Sequence, residues 1–380
     1  MMRIYLDNNA SMPLWPEAKE AVMCGLDLIG NPSASHRFGA ECAHVLESTR
    51  RELLEHLDVR DGTLIFTSGA TESNFLALCG LKPHVKTFIV GATEHPSLLK
   101  PLEDPAFKGR VHICPVNEAG LISPEVLAYQ LKNVTSPFCV SIGAVNHETG
   151  VVQDIEALAD VVRGYGGWLH TDAAQVLGKV PFHCNAADLI TLSSHKAGGP
   201  LGIGGFLLKD HVPFIPFMLG GGQEMGLRSG TPAVALASGF AAATRQCLSA
   251  THKAHLDRCE MWRNELEDTL IALGASIMGH SAPRVPQTSC IAMPNVSRDM
   301  QMVAFDRVGI AISAGSACQS GATGPSSTLR AMGLPSGIAD TAIRVSMGPT
   351  TKKNHIERFI TEWKAIHHNH ARGTSYVSAA

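Results

Sequence analysis

The chain has 380 residues, of which 45% are apolar, and its 31 basic and 34 acidic side chains give a net charge of −3. At roughly 150 residues per domain this length predicts two or three domains, and the apolar fraction supplies a large core and argues against general disorder. The balanced charge gives no basis for direct nucleic-acid binding or attachment to an anionic membrane, and no apolar run reaches the ~18 residues that a membrane helix needs.

The ten cysteines are scattered along the chain, without a Cys-x-x-Cys pair. The first residues, MMRIYLDNNA, lack the apolar segment of a secretory signal peptide. We therefore expect reduced thiols and a cytoplasmic location. Most of the cysteines are expected to be apolar core residues, with one reactive thiol among them.

Short β-rich runs alternate with helical patterns through the middle of the chain. The alternation predicts an α/β fold with a mainly parallel central sheet flanked by helices. Ligands of such sheets bind where the carboxyl ends of strands meet the amino ends of helices. The helical patterns cover residues 71–80, 123–133 and 154–166. The predicted strands are residues 63–69, 87–95, 111–116, 137–145, 168–174, 188–194 and 203–209.

Beyond about residue 245 the pattern changes to long helical stretches such as residues 252–274. This change predicts a second, smaller α+β domain. His367, His368 and His370 lie near the polar end of the chain. We expect a solvated tail there rather than a metal-binding cluster, so no metal site is predicted.

The segment FTSGATES, residues 66–73, has the pattern of a strand, a tight turn and a helix start. Backbone N–H groups from Gly69 to Thr71, together with the Thr71 hydroxyl, would form an anion site there. Alone, this is a weak phosphate signal. The other glycine-rich segments match neither G-x-G-x-x-G nor G-x-x-x-x-G-K-[ST], so a dinucleotide site and a P-loop are rejected.

Two polar residues lie at the ends of predicted strands. His95 is either a satisfied structural histidine or a flat imidazole that stacks on an aromatic cofactor and moves protons. Asp172 is either the N-cap of a following helix or a buried carboxylate facing a cationic ring nitrogen, as pyridoxal phosphate requires. In the second case Gln175, three residues later, could hydrogen-bond the phenolic oxygen of the ring.

Lys196 lies in TLSSHKAGGPLG, where a buried strand is followed by hydroxyl groups, a histidine and a glycine-rich turn. An isolated loop lysine usually keeps its amine in water, whereas a lysine in a desolvated cleft can form a Schiff base. The glycines at positions 198, 199 and 202, which let the backbone approach a ligand closely, favour the second interpretation.

Cys318 and Arg344 are the candidates in the C-terminal third. Small residues dominate the segment around Cys318, ISAGSACQSGATGPSS, which predicts a mobile loop with an exposed, nucleophilic thiol. Arg344 interrupts a short strand-like run. It is either a surface residue or a bidentate clamp for a substrate carboxylate.

Together these segments resemble the NifS-like cysteine desulfurases, within the class V aminotransferase family of fold-type I pyridoxal phosphate enzymes. The resemblance implies a homodimer with a large cofactor domain at residues 13–245. It also implies a small domain of residues 1–12 and 246–380 that carries the cysteine loop, about residues 313–327. The matching segments, in order, are YLDNNAS, GNPSASHRFG, FTSGATES, TEHPS, NHETGVVQDI, HTDAAQ, SSHKAGGPLGIGG, GGGQEMGLRSGT and GSACQSG.

The resemblance also implies a role for each candidate residue. Lys196 resembles the Schiff-base lysine, Cys318 the sulfur-accepting cysteine, and His95 a proton carrier at the ring and the sulfur. Asn31 and Arg344 resemble contacts of the substrate carboxylate. The implied cofactor contacts are Asp172 at the ring nitrogen, Gln175 and Asn146 at the phenolic oxygen, Ala70, Thr71, Ser193 and His195 at the phosphate, and Thr231 at the phosphate of the neighbouring subunit.

The implied reaction converts L-cysteine to L-alanine. Lys196 would remove the Cα proton, and the Cys318 thiolate would take the substrate sulfur as a persulfide. The sulfur would then pass to an acceptor, either an iron–sulfur scaffold protein or a tRNA-thiolation carrier. Three alternatives stay open: a selenocysteine lyase, a class V aminotransferase, which has no need of Cys318, and a non-catalytic scaffold.

Overall fold

The computed structural model describes residues 3–315 and 326–371, the last without its side chain. Its strands are β1 Ile4–Tyr5, β2 Thr63–Thr67, β3 Thr87–Gly91, β4 Val111–Cys114, β5 Phe138–Gly143, β6 Trp168–Asp172, β7 Leu189–Ser193, β8 Gly204–Leu208, β9 Ser276–Ile277, β10 Thr288–Ala292, β11 Ile310–Ala311 and β12 Ala342–Ser346. Its α-helices are α1 Pro16–Leu26, α2 Arg37–His56, α3 Ala70–Leu81, α4 Pro96–Leu99, α5 Pro124–Leu131, α6 Ile155–Gly164, α7 Val234–Cys247, α8 Ala250–Ile271, α9 Arg298–Arg307, α10 Ser327–Ala331, α11 Ser336–Ala339 and α12 Lys353–Ala371.

The main sheet has seven strands in the order β2-β8-β7-β6-β5-β3-β4. β8 runs antiparallel to both of its neighbours, and the pairs from β7 to β4 are parallel. The predicted α/β fold and all seven predicted strands of this sheet are confirmed. Each strand ends one to four residues before its predicted segment does.

Successive residues of the main sheet pack on opposite faces, as the pleat of a strand requires. In β3, Phe88 and Val90 join the apolar cluster on one face, whereas Ile89 joins the cluster on the other. Apolar side chains of α3 cover the first face, and those of α2, α5, α6 and α7 cover the second. Burial on both faces explains why these strands read as continuous apolar runs.

A second apolar core unites the beginning of the chain with its C-terminal third. Ile4 and Leu6 pack with residues of α8, α9 and α12. β1 pairs in parallel with β11, while β10 lies between β12 and β9 in an antiparallel sheet. Met12 packs in the large core instead. The boundary expected at residue 245 falls inside α7, whose last residue, Cys247, also belongs to the large core.

The three histidines expected in a solvated tail lie on α12, which continues to Ala371, and none of the three is buried. Phe359, Trp363 and Ile366 are buried at helical spacing, and this apolar stripe extends the helix. The ring of His367 stacks on Trp363 with 5.1 Å between centroids. Across residues 3–315 and 326–371, no helix combines the length and apolarity needed to cross a membrane.

Candidate active site

A cavity of about 430 Å³ opens at the carboxyl ends of the parallel strands, where ligands of this fold class bind. Asn31 and Thr231 are exposed and do not line it. Cys318 lies outside the described residues. The predicted residues that line it together are Ala70, Thr71, His95, Asn146, Asp172, Gln175, Ser193, His195, Lys196 and Arg344.

Lys196 lies in a 3-10 turn, Ser194–Ala197, that directly follows β7. Its Nζ donates hydrogen bonds to the backbone oxygens of Asn9, at 2.6 Å, and Ala10, at 2.8 Å. Gly198 ends the turn at φ 74°, and a Cβ there would lie 2.5 Å from the Trp15 ring nitrogen. The turn after β7 and the backbone oxygens of Asn9 and Ala10 together hold the Lys196 amine at the cavity.

The Asp172 carboxylate, at the end of β6, is held by two donors. Its Oδ1 accepts from the Ala174 N–H at 2.9 Å, and its Oδ2 accepts from Asn74 Nδ2 at 2.7 Å. Asn74 Nδ2 also donates to Ser97 Oγ at 2.8 Å. The sequence analysis missed Asn74, although its position four residues after Ala70 on α3 indicates that both lie on one face of the helix.

His95 continues this network. Its Nδ1 lies 2.8 Å from Ser97 Oγ and accepts from the Ser97 N–H at 3.1 Å. An Nδ1 that accepts leaves the proton of the neutral ring on Nε2. Its ring meets His147 edge-on, with centroids 5.2 Å apart. A continuous set of contacts therefore joins the Asp172 carboxylate to the imidazole of His95.

The side of the cavity where the sequence predicts a phosphate is formed by a turn at Gly69. Gly69 has φ 148°, a backbone conformation that favours glycine, and is the N-cap of the twelve-residue helix α3. The first N–H groups of a helix have no partner inside it. Ser193 Oγ is buried without a hydrogen-bond partner among the described residues. Burial lowers the pKa of His195 to about 4, and the charge of Lys196 adds to the effect.

The two amide residues of the site are engaged to different degrees. Asn146 Oδ1 accepts from the N–H groups of Glu148, at 3.0 Å, and Thr149, at 2.9 Å. Its Nδ2 donates to the Thr93 oxygen at 3.0 Å, so one amide hydrogen remains for a ligand. Gln175 Nε2 donates to the Asn9 oxygen at 2.9 Å. Gln175 therefore also keeps one amide hydrogen for a ligand.

Arg344 is 2% exposed, so its surface alternative is wrong. One of its terminal nitrogens donates to Asp7 Oδ1 at 2.6 Å, and the other donates to the His147 oxygen at 2.8 Å. Its Nε is buried without a hydrogen-bond partner among the described residues. The guanidinium is thus fixed at the cavity, and its Nε–H is among the donors left for a ligand.

Glu94, beside His95 at the end of a predicted strand, also lines the cavity, although the sequence assigned it no role. Its Oε2 accepts from the Gly143 N–H at 2.8 Å. Burial raises the pKa of Glu94 to about 8 against the opposing effect of that hydrogen bond, and the charge of Asp172 adds to the increase. A Cβ at Gly91 or Gly143 would lie 2.4 or 2.8 Å from the Glu94 carboxyl oxygens. A neutral acid therefore lies beside Asp172 in space that two glycines leave open.

The described cysteines do not provide a nucleophile for this cavity. None of the nine lines it, and only Cys24 on α1 is exposed. Burial raises the pKa of Cys114 and of Cys247 to about 11, and that of Cys184 and Cys259 to about 12. Thiols with such values are almost wholly protonated near neutral pH and react poorly.

The chain matches the aminotransferase class-V family over residues 4–359. It belongs to this family. It is 35% identical over 372 residues to the cysteine desulfurase of Cereibacter sphaeroides, and this alignment covers 95% of this chain and 94% of that protein. It is 33% identical over 372 residues to the cysteine desulfurase NifS of Azotobacter vinelandii, covering 95% and 92%. The solved NifS-like protein of Rickettsia africae aligns with a TM-score of 0.89 at 28% identity, covering 97% of this chain and 100% of that one.

Enzymes of the class-V family use pyridoxal 5′-phosphate, and the cavity fits that cofactor. Asp172 offers a buried carboxylate to a ring nitrogen, and Lys196 offers an amine to an aldehyde. The orphaned Ser193 hydroxyl and the N-terminus of α3 offer donors to a phosphate. The cavity therefore offers a partner to the ring nitrogen, the aldehyde and the phosphate of pyridoxal phosphate.

Proposed function

We propose that this class-V protein is a pyridoxal phosphate-dependent cysteine desulfurase that converts L-cysteine to L-alanine and transfers the sulfur to Cys318. One observation carries the proposal: the Lys196 amine, the Asp172 carboxylate and the orphaned Ser193 hydroxyl line one cavity. Similarity to cysteine desulfurases over nearly the full length supports the choice of substrate.

The cofactor would be held at three points. Lys196 would bind its aldehyde, Asp172 would face its ring nitrogen, and the N-terminus of α3 with Ser193 and His195 would bind its phosphate. When bound, pyridoxal phosphate supplies an electron-accepting ring that stabilises negative charge at the substrate Cα. The contact from Asn74 would keep the Asp172 carboxylate turned toward the ring.

The chain's own residues would move the protons and the sulfur. The Lys196 amine takes the Cα proton, and His95 exchanges a proton with the substrate sulfur through Nε2. The Cys318 thiolate attacks that sulfur, so an S–S bond forms as the substrate C–S bond breaks. The electron pair of the broken bond stays on Cβ, which takes a proton, and Lys196 returns a proton to Cα, so that the product leaves as alanine. Arg344, and Asn31 if its loop approaches, would bind the substrate carboxylate.

We further propose a homodimer. Exposed apolar side chains precede Thr231 in the chain, and contiguous exposed apolar surface marks protein interfaces. Arg228 Nε donates to Glu72 Oε1 at 2.7 Å, which ties this segment to the first turn of α3. A partner here would bring Thr231 to the neighbouring phosphate site. The exposed apolar residues are Ile215, Phe217, Met218, Leu219 and Met225.

The remaining assignments are proposals that rest on the sequence resemblance. The large cofactor domain would cover residues 13–245, and residues 1–12 with 246–380 would form the small domain. Packing of Ile4 and Leu6 with α8, α9 and α12 supports this division. The sulfur would pass to an acceptor protein in the cytoplasm, such as an iron–sulfur scaffold.

The proposal is tested by supplying L-cysteine to the enzyme loaded with pyridoxal phosphate and measuring alanine and sulfide together in the presence of a reductant. Equal amounts of both are expected. L-selenocysteine assayed in parallel separates this function from that of a selenocysteine lyase. Amino-group transfer to a keto acid without sulfide would indicate an aminotransferase, and a protein that takes up no cofactor would indicate a scaffold.

Two variants test the assigned residues. Lys196→Ala is expected to lose the visible absorption that a lysine-bound cofactor gives. Cys318→Ser is expected to keep that absorption and lose sulfide release, because the sulfur has no acceptor. Cys24→Ser removes the exposed described thiol and serves as the control, with turnover like that of the wild type. Full turnover by Cys318→Ser would refute the role of Cys318.

A further inference from the structure

A second buried lysine lies directly behind the cavity wall. Lys179 is 7% exposed, and its Nζ donates a hydrogen bond to Gln175 Oε1. Gln175 lines the cavity, whereas Lys179 does not reach it. Gln175 Nε2 donates to the Asn9 oxygen at 2.9 Å, and Lys196 Nζ donates to the same oxygen at 2.6 Å. Lys179 therefore contacts the oxygen of the Gln175 amide, while the nitrogen of that amide shares the Asn9 oxygen with Lys196.

These contacts fix which way the Gln175 amide points. A lysine ammonium only donates hydrogen bonds, and a backbone carbonyl only accepts them. Gln175 must therefore present its oxygen to Lys179 and its nitrogen to Asn9. The second Nε2 hydrogen is left for a group in the cavity. Without Lys179 one of the two constraints on the amide is lost.

The surroundings of Lys179 disfavour its charge. Burial lowers the pKa of Lys179 to about 7, and the charge of Lys196 acts in the same direction. An anionic ligand in the cavity would favour the charged form again. Among the residues that the structure describes, the titratable or charged groups that act on Lys179, or on which it acts, include no carboxylate. They are Lys196 and His195 from the 3-10 turn, Cys247 from α7, His252 from α8 and Arg344 from β12.

We propose that Lys179 is a positioning residue of the cofactor site. It turns an N–H of Gln175 toward the phenolic oxygen of the cofactor and adds a positive charge behind that oxygen, next to Lys196. The charge favours the anionic phenolic oxygen and disfavours a proton on the Lys196 nitrogen. This inference rests on the proposed function, because it assigns to Gln175 the contact expected there.

The test is Lys179→Met, which keeps the aliphatic stem and removes the charge and the donor. Cofactor binding to the apo-protein is measured by fluorescence titration, and the pH midpoint of the visible absorption band is measured on the loaded enzyme. We expect the dissociation constant to rise about tenfold and the midpoint to rise by about one pH unit. Values equal to those of the wild type would overturn the inference.

Lys209→Met is the matched control. Lys209 is 3% exposed and donates to Asp61 Oδ1 at 2.5 Å and to Asn185 Oδ1 at 2.9 Å. It is a buried lysine that does not line the cavity. Its replacement is expected to lower thermal stability while leaving cofactor affinity and the pH midpoint unchanged. Equal shifts in both variants would mean that the effect is general destabilisation and would contradict the proposal.

A double-mutant cycle with Gln175→Ala tests whether Lys179 acts through Gln175. In the Gln175→Ala background, Lys179→Met is expected to change cofactor affinity less than twofold, because the amide it positions is gone. A full tenfold effect in that background would overturn the positioning role. Lys179→Arg, which keeps the charge and the donor, is expected to retain the wild-type midpoint and carries the test if the methionine variant does not fold.

Failure of this inference is separable from failure of the proposed function. If the wild type binds the cofactor but yields no alanine from L-cysteine, the proposed activity fails. The affinity and the pH midpoint of Lys179→Met remain measurable in that case. If the wild type is active and Lys179→Met matches it in both measurements, the positioning role fails alone.

Discussion

At the scale of single residues, the site separates two neighbouring carboxyl groups by their surroundings. Asp172 accepts hydrogen bonds at both oxygens, from Ala174 N–H and Asn74 Nδ2. Glu94 accepts one, from Gly143, and burial raises its pKa to about 8. A neutral Glu94 places no second negative charge beside the carboxyl group of Asp172, which is proposed to face a cationic ring nitrogen.

Glu94→Gln tests this assignment through stability. Folding raises the pKa of Glu94 to about 8 from its ordinary value of 4.5, so the carboxyl stabilises the fold below about pH 4.5, and that contribution is lost as the pH rises to about 8. Glutamine cannot ionise. We expect Glu94→Gln to exceed the wild type in free energy of unfolding by about 2–4 kcal/mol at pH 8.5 and to match it near pH 4.5.

Urea unfolding at a series of pH values gives this comparison. Glu118→Gln, at an exposed carboxyl, is the control and is expected to follow the wild-type curve at every pH. If Glu94→Gln shows the same loss of stability between pH 4.5 and 8.5 as the wild type, then Glu94 is ionised in the folded protein and the assignment is wrong.

The site residues that the sequence predicted are those at strand ends. Lys196 and Asp172 each follow a buried apolar run, and that position is visible in the sequence alone. Asn74 and Lys179 were missed because their roles depend on contacts between segments that share no sequence pattern. Glu94 lies at a strand end as well, but the burial that raises its pKa is not visible in the sequence. Asn74, for example, joins Asp172 to Ser97 across 98 and 23 residues of chain.

At the scale of secondary structure, the shape of the turn at Gly69, which precedes α3, depends on the close approach of β8. A Cβ on Gly204 would lie 2.6 Å from the Gly69 Cα and 2.7 Å from the Leu192 oxygen. Contacts this short with backbone atoms cannot be relieved by rotating a side chain. The turn before α3 therefore keeps its shape only if position 204 is glycine.

Gly204→Ala is expected to displace the Gly69 turn and to cost about 1–3 kcal/mol of stability. The displacement should weaken binding of pyridoxal phosphate by at least tenfold and binding of pyridoxal, which lacks the phosphate, much less. Gly164→Ala, where an added Cβ meets nothing within 4 Å, is the control and should leave both affinities unchanged. Equal losses for the two ligands would argue against a role of this turn in phosphate binding.

The order of strands and helices was predictable because both faces of the sheet are buried, which produces unbroken apolar runs. The helical pattern that begins at residue 154 is capped there, since the Asp154 side chain accepts from the Ala157 N–H at 3.0 Å. The length of α12 was not predicted. Polar residues surround Phe359, Trp363 and Ile366 in the last turns of α12. The burial of these three side chains becomes evident from their tertiary packing.

At the scale of the whole molecule, the proposed dimer should depend on the exposed apolar segment before Thr231. Leu219 is 82% exposed. Leu219→Glu would place a charge in the interface, where an unpaired buried carboxylate is costly. Sedimentation at micromolar concentration is expected to give a dimer for the wild type and a shift toward monomer, with weaker cofactor binding, for Leu219→Glu.

Met261→Glu is the matched control, since Met261 is also an exposed apolar residue, at 60%, but lies on α8. It should remain dimeric with unchanged cofactor binding. A monomeric wild type, or a dimer that persists in Leu219→Glu, would contradict the proposed interface.

The long-range contacts of residues 4–9 have a consequence for biosynthesis. Ile4 pairs with Ile310, and Asn8 Nδ2 donates to the Ser346 oxygen, 338 residues further along the chain. The oxygen of Asn9 meets the Lys196 amine. These first residues leave the ribosome long before the partners they need, so the nascent chain must carry them unpaired until translation has almost finished. Residues 4–9 thus reach their C-terminal partners, Ile310 and Ser346, only when most of the chain has been made.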